Sequence, residues 1–293
     1  WDPYAKAGTK TKFDNKTKIS INNVDWFEFA DRWRGQYTPY MDKVRKGELP
    51  WTNIDCLHRM ILDNLLDEYK ISGLTEEDKE YFNFSWHRLL VWPDVNSGLT
   101  RLSKNFVLAT LSNGNTNLLS DIAESAGLNW DFILSAEDSK HYKPDQEVYL
   151  SAIESIGLEP KYIMMVAAHA FDLKAAQKVG MKTAYVYREL EFGRCFENEN
   201  INESDFDLVA KDFEDLGLGI IIPILMMGVI MKSTRLQLTM ILASSSLTPV
   251  PAAANQPAQP PEVRPLGGMR FHPGYNPRHT RPHLSPQGFS LCR

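Results

Sequence analysis

The chain has 293 residues, 43% of them hydrophobic and 11% aromatic, enough apolar side chain for one large packed domain or two modest ones, which excludes a disordered or fibrous protein. Its formal charge of −5 is unevenly spread: from Leu218 onward seven Lys/Arg stand against one acid, leaving residues 1 to 217 at −11. A body this acidic argues against a nucleic-acid partner, whose phosphates need basic surface.

Three cysteines, Cys56, Cys195 and Cys292, lie far apart with no CxxC or Cys/His cluster. Neither a disulfide framework nor a zinc site is expected, and a reducing cytoplasm is the expected setting. The chain opens at Trp1 with no basic-then-apolar leader, so no signal peptide is expected.

Residues 25–92 carry no strand pattern. "DWFEFADRWRGQYTPYMDKVRKG", "NIDCLHRMILDNLLDEYKI" and "TEEDKEYFNFSWHRLL" are helix-length and amphipathic, and together predict a helical subdomain. Thr75 and Asp78 stand as the aspartate form of a capping box for the third, with Glu76 and Glu77 adding favourable charge to its first turn. "VWPDVNSGLTRLSKN" then returns the chain through Pro93 to a core expected over residues 93–217.

From 106 to 187 one pattern repeats. "FVLATLS", "DFILS", "YIMMVA" and "TAYVY" read as strands, and the helices between them end at Gly127, Gly157 and Gly180, each followed by an apolar residue. That is the glycine that closes a helix in a left-handed conformation. In the second helix Tyr149, Ala152, Ile153 and Ile156 form one stripe, and Pro144 suits its first turn. Continuous apolar strands alternating with single helices predict an α/β fold, a doubly wound parallel sheet covered by helices.

Residues 218–293 differ in composition. Leu218 to Met231 is apolar and uncharged but shorter than the roughly 20 residues of a membrane-spanning helix, so no membrane partner is expected. From Pro249 the tail holds ten of the 17 prolines without apolar periodicity, and disorder is expected there.

In open α/β sheets ligands bind at the carboxyl ends of the strands. Ser112, Asn113 and Gly114 end the first strand, Lys143 lies in "YKPD" after the second, and His169 and Asp172 follow the third. Spacings of one β-α unit predict that all three groups meet on one rim. Each alone has an ordinary explanation: a turn, a solvated lysine, an acid meeting a helix dipole. Together a hydroxyl with backbone N–H groups, a cation and a carboxylate make an anion-handling site.

The phrases "LSNGN", "YKPDQEVY", "MMVAAHAFDL" and "WRGQY" resemble, in order and spacing, motifs of the haloacid dehalogenase superfamily of hydrolases, and within it the 2-haloacid dehalogenase (type II) branch. The resemblance runs from about Asp25 to Leu216. It implies a Rossmann-like core with an inserted helical cap over 25–92, a small anionic substrate, a homodimer, and neither metal nor organic cofactor. An aspartate would displace halide from a short 2-halo acid with inversion, and water would hydrolyse the resulting ester.

Position by position the resemblance implies that Ser112 and Asn113 hold the substrate carboxylate or the nucleophile. Lys143 offsets their charge, Asp172 orients Lys143 and helps activate water, and Tyr149 lies near the site. Arg34 of "WRGQY" binds the carboxylate or the departing halide. Where many members carry Ser-Ser-Asn before the aspartate, this chain has Ala167, Ala168 and His169, which alters the donors; His169 is expected to tune Lys143 or contact substrate.

The family's opening strand, ending in an Asp followed by Gly-Thr, has no counterpart in the sequence. Asp2 in "WDPY" has no strand before it and no Gly-Thr in register. Residues 1–24 therefore read as a remnant, the loss of a central strand is expected to leave two neighbours with unpaired edges, and the chain is expected to be inactive. Alternatives are a non-catalytic relative binding a small acid, or a magnesium-dependent phosphatase of the superfamily, against which stands Asp172 as a single acid after the third strand where two are usual.

Overall fold

The computed structural model describes residues 24–188, 191, 200–226 and 239–242. Asp2, the rest of the N-terminal remnant through residue 23, and the proline-rich tail lie outside the described residues.

The first 65 described residues form helices α1 (Trp26–Gly35), α2 (Tyr37–Arg45), α3 (Ile54–Glu68) and α4 (Glu76–Asn83), followed by a 3-10 turn over Phe84–Arg88. The first predicted helix is thus two, separated at Gln36 just after Gly35, a residue that weakens helix continuity. Side-chain caps start the others: Asn53 accepts from the Cys56 N–H, and Thr75 with Asp78 forms the capping box read in the sequence. Their apolar faces close on a core of Phe29, Trp33, Leu57, Ile61, Leu62 and Phe82, which Tyr142 joins from the loop after the second strand. Each such fully buried side chain contributes about 1.5–3 kcal/mol.

Helix α5 (Val95–Leu102) leads into β1 (Val107–Ser112), α6 (Thr116–Ala126), β2 (Phe132–Ser135), α7 (Gln146–Ile156), β3 (Ile163–Ala167), α8 (Ala170–Lys178), β4 (Lys182–Val186) and β5 (Leu208–Ala210). Gly127 and Gly157 cap α6 and α7 at φ of 66° and 73°, the region their lack of Cβ allows. Pro144 lies outside α7, whose cap is Asp145. Helix α9 (Phe213–Met226) follows β5. Gly98 lets α5 approach it closely: a Cβ there would stand 2.4 Å from the Phe213 Cβ.

All strand pairs are parallel, and helices cover both faces. Val148, Tyr149, Leu173 and Ala176 pack on one face with Ala109, Leu111 and Met165, while Leu99, Leu102, Phe213 and Leu216 pack on the other with Leu108 and Val166. This is the doubly wound α/β arrangement the repeats predicted.

One part of the sheet departs from expectation. Its order is β2-β1-β6-β3-β4-β5, with β6 formed by Thr239–Leu242. Thr239 pairs with Val107 and Ile163, and Leu242 with Thr110 and Val166. The neighbours expected to have unpaired edges are therefore paired, by residues expected to lie outside the core. The physical reason is that a gap between two buried strands leaves backbone groups unsatisfied on both sides, and "LTMIL" is an apolar run able to fill it. The apolar stretch from Leu218 begins as the second half of α9. Among the described residues no helix is long and apolar enough to cross a membrane.

Candidate active site

The sheet's carboxyl edge gathers the polar residues. Strand β1 ends at Ser112, whose Oγ accepts the Gly114 N–H at 3.0 Å and fixes the turn into α6. Ser135, paired with Ser112 in register, donates to the Gly114 carbonyl at 2.7 Å from the neighbouring strand. Asn113 turns its Oδ1 to the Lys143 N–H at 2.7 Å, tying the turn after β1 to the loop after β2.

That tie aims Lys143 inward. Its Nζ donates to the Leu111 carbonyl at 3.0 Å and lies 2.5 Å from Asp172 Oδ2. Asp172 sits in the first turn of α8, 2% exposed, and its other oxygen accepts from the Tyr149 hydroxyl. Burial, with the Asp172 carboxylate adding to it, pushes the Tyr149 hydroxyl far above the usual phenol range, so it remains a donor. Ser112, Asn113, Lys143, Tyr149 and Asp172 thus form one connected cluster. A buried ammonium held by one carboxylate is a fixed positive pole for an anion arriving at the rim.

Helix α2 reaches the cluster from the helical side. Arg45 Nη2 donates to the Lys143 carbonyl at 2.9 Å and the Tyr142 carbonyl at 3.2 Å, and its Nε lies 3.2 Å from Asp145. Met41 receives the Asn113 side-chain amide at 3.6 Å. Tyr37 stands beside Asn113; burial raises its hydroxyl to about 12, with Asp172 acting the same way and Asn113 and Arg45 opposing.

Arg34 and His169 both meet Glu191. Arg34 Nη2 lies 3.4 Å from Glu191 Oε1, and its Nη1 donates to the Glu191 carbonyl at 3.5 Å. His169 Nε2 lies 3.0 Å from Glu191 Oε2, and its ring stacks on Phe171 with centroids 5.4 Å apart. The charged neighbour of His169 is thus Glu191. Sequence reasoning missed Glu191, Arg45 and Tyr37. Tyr37 belongs to the quoted "WRGQY", which was the available signal, whereas Glu191 in "RELEFGR" carries no pattern.

The family model of haloacid dehalogenase-like hydrolases matches residues 7–180, which contain all seven of the residues singled out from the sequence. The chain belongs to this hydrolase family. As a haloacid dehalogenase-like hydrolase it is 32% identical over 142 residues to (S)-2-haloacid dehalogenase 4A of Burkholderia cepacia, 46% of this chain and 62% of that enzyme. It therefore spans less than two thirds of that relative's length. Haloacetate dehalogenase H-2 of Moraxella sp. (strain B) is 27% identical over 181 residues, 61% of this chain and 72% of that enzyme. Among solved structures, the L-2-haloacid dehalogenase PA0810 superimposes with a TM-score of 0.66 at 41% identity, covering 74% of this chain and 93% of that one. The defluorinating L-2-haloacid dehalogenase Rha0230 gives 0.68 at 35% identity, covering 74% and 86%.

Proposed function

We propose that the rim is a 2-haloacid dehalogenase site that takes a short 2-halo carboxylic acid. The observation that supports this most is the Lys143–Asp172 pair at the end of β1, a buried cation positioned beside the Ser112–Asn113 turn. The names of the relatives in sequence and structure support the same substrate class. In the complete reaction an aspartate oxygen bonds to C2 as the C–halogen bond breaks with its electron pair on the halide. Water then cleaves the ester, returning the carboxylate and releasing a 2-hydroxy acid and a proton. Lys143 stabilises the two carboxylates brought together, and the helical residues 25–92 act as the cap that closes over them.

In this chain the attacking carboxylate is the weak point. The described stretch of the central strand β6 is Thr239–Leu242, and neither it nor the sequence that follows, Ala243-Ser244-Ser245-Ser246, holds an acid. The proposal is therefore that these 293 residues bind the acid without displacing halide. Calorimetric titration with (S)-2-chloropropionate, alongside a chloride-release assay with and without magnesium, tests both parts. Saturable binding without chloride release is the expected outcome. Release above the uncatalysed rate would overturn the inactivity and direct attention to Asp2, and absence of binding would overturn the site.

A further inference from the structure

Glu191 is 4% exposed and has two charged or ionisable neighbours, Arg34 from α1 at one carboxylate oxygen and His169 at the start of α8 at the other. A buried carboxylate needs such partners. The two contacts are unequal. His169 Nε2 approaches the carboxylate to 3.0 Å as an ion-pair contact, whereas the Arg34 contacts are hydrogen bonds that at 3.4 and 3.5 Å lie at the outer limit of length. The Arg34 side chain is also 34% exposed, so a ligand reaching the rim meets the arginine first and competes with Glu191 for it.

We propose that Glu191 is a specificity-determining residue: an internal carboxylate that holds Arg34 in the empty site, yields it to an incoming acid while staying on His169, and thereby selects singly charged anions over doubly charged ones. This rests on the reading of the rim as an acid-binding site. The selection follows from charge. Once displaced from Arg34, Glu191 remains within a few ångströms of the ligand, and its repulsion grows in proportion to the ligand's charge. Attraction to Arg34 also scales with ligand charge, so the selection is relative to a site without Glu191: its carboxylate costs a phosphate dianion twice what it costs a monoanionic carboxylate. Occupation of Arg34 by Glu191 also lowers the apparent affinity for every anion, because only the released fraction is competent.

Affinities of the wild type and of Glu191→Gln for (S)-2-chloropropionate, propionate and inorganic phosphate at pH 8 test this. A thermal melt confirms that the variant is folded, and Glu191→Ala serves as a second neutral variant. Expected are a gain of about tenfold for the carboxylates and about a hundredfold for phosphate, in line with the doubled charge. Unchanged or weaker carboxylate binding in both variants, with the wild type still binding 2-chloropropionate, would overturn the role of Glu191 and leave the haloacid reading standing. Equal gains for phosphate and carboxylate would overturn the charge selection. The predicted gains with no preference for 2-chloropropionate over propionate would support Glu191 and count against the haloacid reading. No binding of any ligand by any of the proteins would overturn both.

Discussion

Asp172→Asn removes one charge from a buried pair while keeping nearly the same shape. The Asn carbonyl can still accept from Tyr149, but its NH2 group then faces Lys143, donor against donor, and the ammonium, 8% exposed, keeps only the Leu111 carbonyl among the partners described here. Breaking a buried pair by removing one member costs about 3–5 kcal/mol. For a folded body of this size that lowers the melting temperature by about 6–20 °C. Removing the whole unit is a different perturbation: Lys143→Met, Asp172→Leu and Tyr149→Phe together leave no unpaired charge or hydroxyl, and are expected to recover most of the loss. Urea unfolding followed by tryptophan fluorescence measures both. A single variant within about 1 kcal/mol of the wild type, or a triple variant less stable than the single, would refute the picture of one buried electrostatic unit.

Three further outcomes follow from the same structure. His58 stacks on Trp86 with centroids 4.4 Å apart, and burial lowers its pKa from 6.5 to about 3. The unfolded chain therefore takes up this proton before the folded one does, and stability falls by about 1.4 kcal/mol per pH unit below 6.5; His58→Leu should flatten urea midpoints between pH 6.5 and 4, and an unchanged slope would contradict the assignment. His87 has the opposite sign: burial lowers its pKa, but Asp55 at 3.0 Å and Asp121 at 2.6 Å more than offset this and raise it. Its contribution is complete below about pH 6.5 and is lost as pH rises through the raised value, so His87→Asn should remove part of the stability loss on the alkaline side. Ile241→Pro deletes a backbone donor in a strand paired on both sides and should cost at least about 1–3 kcal/mol; an unchanged melt would show that the sheet closes without Thr239–Leu242.

The parts of the fold legible in sequence were those fixed by local chemistry. "FVLATLS" and "YIMMVA" are too apolar for any place but a sheet interior, and Gly127 and Gly157 end their helices because only glycine takes that conformation readily. Ser112, Lys143 and Asp172 could be placed together because each follows a strand by a short loop, and parallel strands put all such loops on one edge. Strand β6 was not legible as a partner of β1 and β3. Its residues form an apolar run like many others, and its place was decided by unpaired backbone on strands about 70 to 130 residues away in sequence. Glu191 was hidden for a similar reason: its meaning comes from Arg34, 157 residues earlier, and from His169, with no periodicity to mark it.

The most direct test of an acid-binding rim at the carboxyl ends of β1 and β3 is a crystal structure of the protein soaked with (S)-2-chloropropionate. The account predicts the acid between the Ser112–Gly114 turn and Arg34, within contact distance of Lys143 Nζ, with Glu191 drawn off the arginine. Ordered acid bound elsewhere, with this rim empty at saturating ligand, would contradict it.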